Sequence, residues 1–421
     1  MKNKPESTVE GMGQPIRFRY RKQLELKAAI CYLLIVGCGV MSPPAAALDT
    51  SFQKAFEQFV YSQGVIGGAY VLVDRGQIVE RQNFGMADES VRQSVNDETI
   101  FHWASITKTL TAVAIMQLRD RGKLSLDDPI VKYVPELTRI HSQNNAISRV
   151  TIRNLLSHTG GFQGPTWPYT EGKPWEPFEP TEWSQLVAMM PYQEVAFEPG
   201  SKFQYSNPAF IYLARVIETI SGDPYQVYVQ KNILSPLGMT HAYFNVTPYH
   251  LAGYRSNSYK IVLDDQGHET VQAQGREFDT GITTPNGGLN APLDDMAKWI
   301  GFLSGSAKTD PPVLDRKSLM EMWNPVITTG DEEYAEPASI GLSFFLFPRG
   351  SGDDAVRFVG HTGHQAGFAA FFLLNPKNGR AVIAGFNTVA AWGEKPAAQK
   401  RFVEGQQSLS ALMEAAMAAI R

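Results

Sequence analysis

The chain has 421 residues, of which 43% are hydrophobic and 19% are charged, and its formal net charge at pH 7 is −4. This composition is typical of a globular protein with a sizeable core, built as one large domain or two closely packed ones. Because the chain is slightly acidic, nucleic acid is not expected among its partners.

The N-terminal segment 1–47 is predicted to direct export and to lie outside the fold. Basic residues are frequent in 17–27, and the apolar run AAICYLLIVGCGVM (28–41) has the length of a signal-peptide core. The small residues that follow indicate cleavage after Ala47. Lipidation is a second interpretation, because IVGC ending at Cys38 is similar to a bacterial lipobox, and a buried helix is a third. We expect a periplasmic or extracellular protein that contacts a membrane only if it is lipidated at Cys38.

Both cysteines, Cys31 and Cys38, lie inside this segment. The mature chain would therefore hold no cysteine, or one that carries lipid. This distribution argues against a disulfide framework, a zinc–thiolate site and a cysteine nucleophile. No metal ion or organic cofactor is expected.

Beyond the signal segment, the predicted secondary structure differs from one part of the chain to the next. Apolar spacing predicts an amphipathic helix over 49–63, alternation predicts a β-hairpin over 68–85, and a further helix is predicted over 105–121. The middle of the chain is predicted to be mainly helix and loop, with its strongest helices over 207–222 and 294–305.

Strand patterns return near the C-terminus, over 339–347, 355–363, 367–379 and 380–387, and an Ala-rich helix is predicted over 406–420. Strands at both ends with helices between them indicate one sheet assembled from the two termini.

The predicted domain therefore covers 48–421. Its α/β part comprises about 48–122 and 300–421, and a mostly helical insert occupies about 123–299.

The stretch WASITKT (103–109) carries a serine and a lysine three positions apart, Ser105 and Lys108. On a helix these two residues lie on one face, so Lys108 can reach the Ser105 hydroxyl. A serine needs such a base to become a nucleophile, and a lysine serves as one only when burial or nearby positive charge lowers its pKa. The N-terminus of a helix also offers free N–H groups to a developing oxyanion. Taken alone, the pattern is more often a helix cap followed by a surface lysine.

Two later stretches, QYSNP (204–208) and GHTGHQAGF (360–368), follow in order. With them the chain resembles the class C serine β-lactamases and the related penicillin-recognising D,D-peptidases and esterases. The three family motifs, Ser-x-x-Lys, Tyr-x-Asn and Lys/His-x-Gly, stand here as SITK, YSN and HTG, and the flanking phrases LLSHTGGF, FEPGSKFQYSN, PLGM and GGLNAPLDDMAKW fit as well. The resemblance extends over about 50–395 and implies an α+β fold of the β-lactamase/D,D-peptidase type. In that fold an antiparallel sheet flanked by helices meets a mostly helical second subdomain, with the active site between them.

The resemblance also implies a role for each residue of the first two motifs. Ser105 would be the acyl-accepting nucleophile, and Lys108 would be its base or part of that base. Tyr205 would be the second acid/base group, acting on the water that hydrolyses the acyl-enzyme. Asn207 would donate to the acyl amide of the substrate or hold Lys108, and its place before Pro208 also fits a helix N-cap.

The third motif departs from the β-lactamase pattern, because His361 stands where lysine is usual. Histidine is mostly neutral at pH 7 and offers a substrate carboxylate no fixed charge, which argues against efficient β-lactam hydrolysis. Thr362 and Gly363 would contact the substrate, and Gly363 would let a substrate strand approach closely. The backbone N–H groups of Ser105 and His364 would form the oxyanion hole.

Three further features have simpler explanations beside a functional one. Trp167 and Trp175, in the proline-rich stretch 164–180, would line the mouth of the site or only pack a surface loop. His158 is interpreted as a turn or packing residue. His361 and His364 do not predict a metal site, because no carboxylate residue lies at ligand spacing from them in the sequence.

Together these observations predict an exported serine hydrolase that cleaves ester or amide bonds through a Ser105 acyl-enzyme, of the esterase or D-amino-acid peptidase type. Its partner would be a small-molecule or peptide substrate. A β-lactamase or penicillin-binding D,D-carboxypeptidase is the first alternative. A non-catalytic scaffold that keeps the fold is the second.

Overall fold

A computed structural model of the chain describes residues 50–162, 180–264, 266–330, 339–393 and 395–421. These residues belong to one compact unit, Asp49–Arg421. The predicted export signal and both tryptophans proposed for the mouth of the site, Trp167 and Trp175, lie outside the described residues. Within the described ranges, no helix is both long and apolar enough to cross a bilayer.

The described α-helices are α1 (Thr50–Ser62), α2 (Thr107–Asp120), α3 (Ile152–Leu156), α4 (Trp183–Met189), α5 (Asn207–Ser221), α6 (Tyr225–Val229), α7 (Thr284–Gly287), α8 (Leu293–Ser304), α9 (Arg316–Met322) and α10 (Pro396–Ala419). The strands of the large sheet are β1 (Gly67–Asp74), β2 (Gln77–Asp88), β3 (Gln93–Ser94), β11 (Ile327–Thr328), β12 (Ser339–Ile340), β13 (Phe345–Arg349), β14 (Val356–Gln365), β15 (Phe368–Leu374) and β16 (Arg380–Phe386). The remaining strands are β4 (Ile100–His102), β5 (His141–Ser142), β6 (Glu194–Val195), β7 (Tyr243–Phe244), β8 (Ser258–Leu263), β9 (Glu269–Gly275), β10 (Leu289–Pro292) and β17 (Thr388–Ala390).

The large sheet joins the two ends of the chain, as the strand patterns predict. Its strand order is β11-β12-β13-β14-β15-β16-β1-β2-β3, and neighbouring strands are antiparallel. The link between the termini is the β1–β16 pair, with Gly68 opposite Phe386 and Asp74 opposite Arg380. The fold is therefore the α+β arrangement that the resemblance implies.

Helices cover both faces of this sheet, because alternate residues of its strands are apolar on both sides. On one face, α1 and α10 pack through buried residues such as Phe56 and Met413. On the other face, α2, α5 and α8 share a second core with the sheet, which contains Leu110, Phe210 and Trp299. Ser105 lies at the edge of this second core, where α2 begins.

Two parts of the fold differ from the sequence prediction. Helix α10 begins at Pro396, ten residues before the expected start, because proline suits the first turn and because Arg401 and Ser408 bond to Gln63 at the end of α1. The region between the sheet segments also contains the β8–β9 hairpin, which pairs with β17. Every residue of β9 is exposed, so the sequence carries no apolar alternation that could reveal this strand.

Candidate active site

Ser105 lies in a tight turn that leads into α2. A 3₁₀ turn over Ala104–Ile106 precedes the helix, and Ala104 has a left-handed backbone with φ of +45°. A non-glycine residue in that region stores strain, and such residues cluster at functional sites. The Ser105 N–H belongs to the first turn, so no intrahelical carbonyl accepts from it.

Lys108 lies one turn later, and its amine is fully buried beside the serine. Its Nζ is 3.0 Å from Ser105 Oγ and donates to the Asn286 backbone carbonyl at 2.8 Å. Burial lowers the pKa of the Lys108 amine well below its ordinary value. The neutral amine keeps a lone pair, which can accept the Ser105 proton.

The aromatic ring of Tyr205 packs against this amine. Lys108 Nζ lies 4.9 Å from the centroid of the Tyr205 ring and 5.6 Å from that of Phe210. The face of an aromatic ring stabilises an ammonium and would raise the pKa of the amine. Burial has the larger effect here, so the pKa of Lys108 is lowered. The structure therefore places Ser105, Lys108 and Tyr205 in one cluster, although a hundred residues separate the first and last.

Asn207 starts helix α5 but is not its N-cap. Ser206 is the N-cap, since its side chain accepts from the Ala209 N–H at 3.3 Å. The expectation that Asn207 caps the helix is therefore wrong, because the hydroxyl one residue earlier meets the free N–H groups. Lys108 bonds to Ser105 and the Asn286 carbonyl, and the described residues show no bond from Asn207 to that amine. Asn207 Oδ1 is buried without a hydrogen-bonding partner in the described structure.

His361 lies on β14 and is a buried, neutral side chain. Its Nδ1–H donates to the Thr362 carbonyl at 2.5 Å, its ring contacts that of Phe345, and only 1% of its surface is exposed. Burial, followed by the positive charge of Lys108, lowers the pKa of His361 to about 3. His361 therefore carries no charge at neutral pH, which agrees with its interpretation as a neutral substitute for lysine.

Gly363 makes room for the segment that carries the nucleophile. A Cβ at this position would overlap the Trp103 carbonyl oxygen and lie 3.3 Å from the Ala104 Cβ. The turn that carries Ser105 therefore packs directly against β14 at Gly363, and the approach of a substrate strand to Gly363 stays a prediction.

The backbone of His364 faces the same turn. Ala366 and Gly367 have φ of +50° and +87°, which form a two-residue type I′ turn between β14 and β15. Gln365 and Phe368 close the hairpin, so the next pair, His364 and Ala369, is of the non-hydrogen-bonded kind.

The N–H of His364 therefore points away from β15. On that side β13 ends its pairing at Gly360, and the Ala104–Ile106 turn contacts β14.

The side chains of His361 and His364 point to opposite faces, since they are three positions apart on a strand. His364 Nδ1 bonds to Gln406 on α10, while half-buried Thr362 lies between the two histidines. In the ranges that the structure describes, no group of three or more His, Cys, Asp or Glu side chains could hold a metal ion.

Two residues of the site were missed by the sequence analysis. Asn286 contributes a backbone carbonyl, which no side-chain motif reveals. His158 is a turn and packing residue, as interpreted, but its contact with the site was not predicted: its ring stacks on Tyr205 with centroids 4.4 Å apart. The only sequence signal for His158 was its place in the flanking phrase LLSHTGGF.

The arrangement provides the parts of nucleophilic catalysis by a serine. A hydroxyl lies beside a buried amine that can accept its proton, a tyrosine ring packs on that amine, and the turn that carries Ser105 packs on the strand that carries His364. The fold and this site define a protein of the β-lactamase/D,D-peptidase type.

Comparison with known proteins agrees with this class. The family model described as Beta-lactamase matches residues 52–403, so the chain belongs to the β-lactamase family, whose serine hydrolases act through an acyl-enzyme. The protein PbpX of Bacillus subtilis (strain 168) is 34% identical over 199 residues, which are 46% of this chain and 46% of PbpX. The chain spans 46% to 61% of the lengths of such curated relatives.

Solved structures show the same fold. The octameric penicillin-binding protein homologue from Pyrococcus abyssi has a TM-score of 0.67 at 25% identity, covering 86% of this chain and 77% of that one. The D-amino acid amidase from Ochrobactrum anthropi SV3, complexed with D-phenylalanine, has a TM-score of 0.68 at 20% identity, covering 87% and 99%.

Proposed function

We propose that this chain is an exported hydrolase that cleaves ester or amide bonds of small or peptide substrates through an acyl-enzyme on Ser105. The observation that carries the proposal is the 3.0 Å separation between Ser105 Oγ and the buried Lys108 amine. A lysine in this state is a base held within hydrogen-bond reach of the nucleophile. Export is supported by the signal-like segment 1–47.

In the proposed acylation, neutral Lys108 accepts the Ser105 proton while Oγ attacks the substrate carbonyl. The carbonyl π electrons move to oxygen, and the N–H groups of Ser105 and His364 stabilise that oxyanion. When the carbonyl reforms, the C–O or C–N bond to the leaving group breaks. The proton held by Lys108 passes to the leaving group, so Lys108 ends neutral and Ser105 carries the acyl group.

In the proposed deacylation, a water molecule takes the place of the leaving group. The water oxygen attacks the acyl carbon, and when the carbonyl reforms the bond from that carbon to Ser105 Oγ breaks and the carboxylic acid leaves. Tyr205, beside the Lys108 amine, acts as the second acid/base group: it takes a proton from the water and gives its own proton to Ser105 Oγ. Asn207, at the start of α5 two residues after Tyr205, donates its amide N–H₂ to the substrate in this proposal.

The substrate class follows from the charge of the site. Neutral, buried His361 provides no cation for a substrate carboxylate, which favours neutral esters and amides over β-lactams. The D-amino acid amidase among the structural neighbours supports amides of D-amino acids as a first class to assay. A non-catalytic scaffold is disfavoured because a buried lysine without a function is costly to keep.

The test is the intact mass of the protein after exposure to a fluorophosphonate. Wild-type protein is expected to gain one adduct, and Ser105→Ala is expected to gain none. Competition in the same assay by esters, D-amino-acid amides and β-lactams then ranks the substrates. A folded wild-type protein that forms no adduct would refute the proposal in favour of the scaffold.

A further inference from the structure

His158 touches the Tyr205 segment at three points. Its ring stacks on the Tyr205 ring, with centroids 4.4 Å apart and planes 23° from parallel. Its backbone carbonyl accepts from the Gln204 N–H at 2.9 Å, and its Nδ1 accepts from the Ser206 N–H at 3.0 Å. The residues on both sides of Tyr205 are therefore bonded to the one residue that its ring stacks on.

The turn that carries His158 is itself held firmly. His158 has a left-handed backbone with φ of +56° and is 1% exposed. Its N–H donates to the Leu155 carbonyl at 3.3 Å, and the Thr159 N–H donates to the Asn154 carbonyl at 2.8 Å. Ser157 Oγ adds a bond to the Arg153 carbonyl at 2.8 Å. The ring of His158 is thus fixed to helix α3.

The hydrogen bond from Ser206 also determines the tautomer of His158. A backbone N–H can only donate, so Nδ1 must hold a lone pair and Nε2 must carry the proton of the neutral ring. The titratable groups that face His158 are Tyr205, Lys108 and His361. Burial, followed by the charges of Lys108 and His361, keeps the pKa of His158 well below its ordinary value. Its Nε2–H is buried without a partner among the described residues. The neutral form that the bond requires is therefore the form that the surroundings favour.

We propose that His158 is a positioning residue that holds Tyr205 against Lys108. This inference rests on the proposed function, because it matters only if Tyr205 transfers protons. Of the three contacts, the two backbone bonds determine where Tyr205 Cα lies, and the ring stack determines how its side chain turns. A Tyr205 released from these contacts would keep its chemistry but lose its place over the amine.

The test compares three substitutions that separate the contacts. His158→Asn keeps an acceptor near the Nδ1 position and tolerates a left-handed backbone, but removes the ring. His158→Phe keeps a ring and removes the acceptor, and His158→Ala removes both. We expect kcat for a neutral ester to fall about 10- to 100-fold in the Ala variant, with KM falling by the same factor because only deacylation becomes slower. The Asn variant should recover about tenfold over Ala, and the Phe variant should recover less.

Phe162→Leu is the matched structural control, since Phe162 is buried in the same segment and packs on Tyr212, not on Tyr205. It should lower the melting temperature and leave kcat unchanged. An unchanged kcat in folded His158→Ala, or an Asn variant no better than Phe, would overturn the inference.

The tautomer gives a second readout that needs no variant. The ¹⁵N spectrum of the wild-type protein should show His158 Nδ1 as an unprotonated, hydrogen-bonded nitrogen. A protonated Nδ1 would contradict the hydrogen bond from the Ser206 N–H on which the inference rests. Failure of the proposed function is distinguishable from failure of this inference. In the first case wild-type Ser105 forms no fluorophosphonate adduct, and in the second Ser105 is labelled but kcat for the ester is the same in wild type and His158→Ala.

Discussion

The two sides of the candidate site contribute different kinds of groups. The helical side, formed by Ser105, Lys108, Tyr205 and Asn207, presents reactive side chains that tertiary contacts hold in place. The strand side, residues 361–364 of β14, presents mainly backbone, because His361 is buried and neutral and Gly363 has no side chain.

This difference shows which properties of a site depend on residue type and which on surroundings. Residue type and spacing alone supply the two groups that a serine nucleophile needs, a hydroxyl and an amine one helical turn apart. What makes them reactive is burial, which lowers the pKa of Lys108. On the strand side burial has the opposite consequence, since it keeps His361 neutral and removes the charge that an exposed, protonated histidine would offer.

The largest expected effect is the loss of the buried base. Lys108→Met should lower kcat/KM for an ester by about a thousandfold or more. The same change should raise the free energy of unfolding by about 1 to 3 kcal/mol, because it removes an amine whose burial is unfavourable. The two effects are measured by ester hydrolysis and by urea unfolding.

The control for this change is Lys132→Met, which removes an exposed lysine that also lies over a tyrosine ring, at 5.0 Å from Tyr133. It should leave kcat/KM within about twofold. A Lys108→Met variant that stays active would show that another group activates Ser105.

A smaller loss is expected when the two sides are forced apart. Gly363→Ala places a methyl group against the Trp103 carbonyl, so the Ser105 turn must shift away from β14. We expect kcat to fall about 10- to 100-fold and the free energy of unfolding to fall by about 1 to 3 kcal/mol. Gly253→Ala is the control, because no atom lies within 4 Å of its added Cβ. If Gly363→Ala keeps full activity, the strand does not position the nucleophile.

A selectivity change of about tenfold is expected when the strand side regains a charge. His361→Lys should raise the ratio of kcat/KM for a penicillin over that for its methyl ester by about tenfold, since only the free acid can pair with the new cation. His361→Gln, which stays neutral, should leave the ratio unchanged. An equal ratio in all three proteins would mean that this position does not face the carboxylate.

The smallest expected effect separates two adjacent residues at the start of α5. Ser206→Ala removes the N-cap and should lower the free energy of unfolding by about 1 kcal/mol. Asn207→Ala removes no cap, so its cost in stability should stay below about 0.5 kcal/mol while its kcat for an amide falls. Thermal unfolding and amide hydrolysis of the two variants measure this contrast. A greater loss of stability in Asn207→Ala would restore Asn207 as the cap.

The helical side was largely predictable from sequence, because its key spacing is local. Ser105 and Lys108 are three residues apart, and α5 carries strong apolar periodicity. The antiparallel sheet was predictable from the strands at both ends of the chain. The start of α5 was predicted less well, because the N-cap is Ser206 and not Asn207. An error of one residue at the start of a helix is enough to assign the capping role to the wrong side chain.

The remaining features depend on contacts that no sequence pattern encodes. The Asn286 carbonyl meets Lys108 because α7 packs on α2, and any residue could supply that oxygen. His158 meets Tyr205 across 47 positions through a left-handed turn, and Gly363 meets Trp103 across 260. Contacts of this kind are determined by the tertiary packing of the helices and strands.

The most direct test of this account is the rate at which a fluorophosphonate labels Ser105 as a function of pH. A buried Lys108 loses its proton far below pH 10.5, so the labelling rate should rise with pH and reach a plateau well below that value. His361 stays neutral down to about pH 3 and should add no step near pH 6.5. A rate that keeps rising through pH 10.5 would mean that Lys108 is an ordinary cation at neutral pH, and would contradict its role as the base.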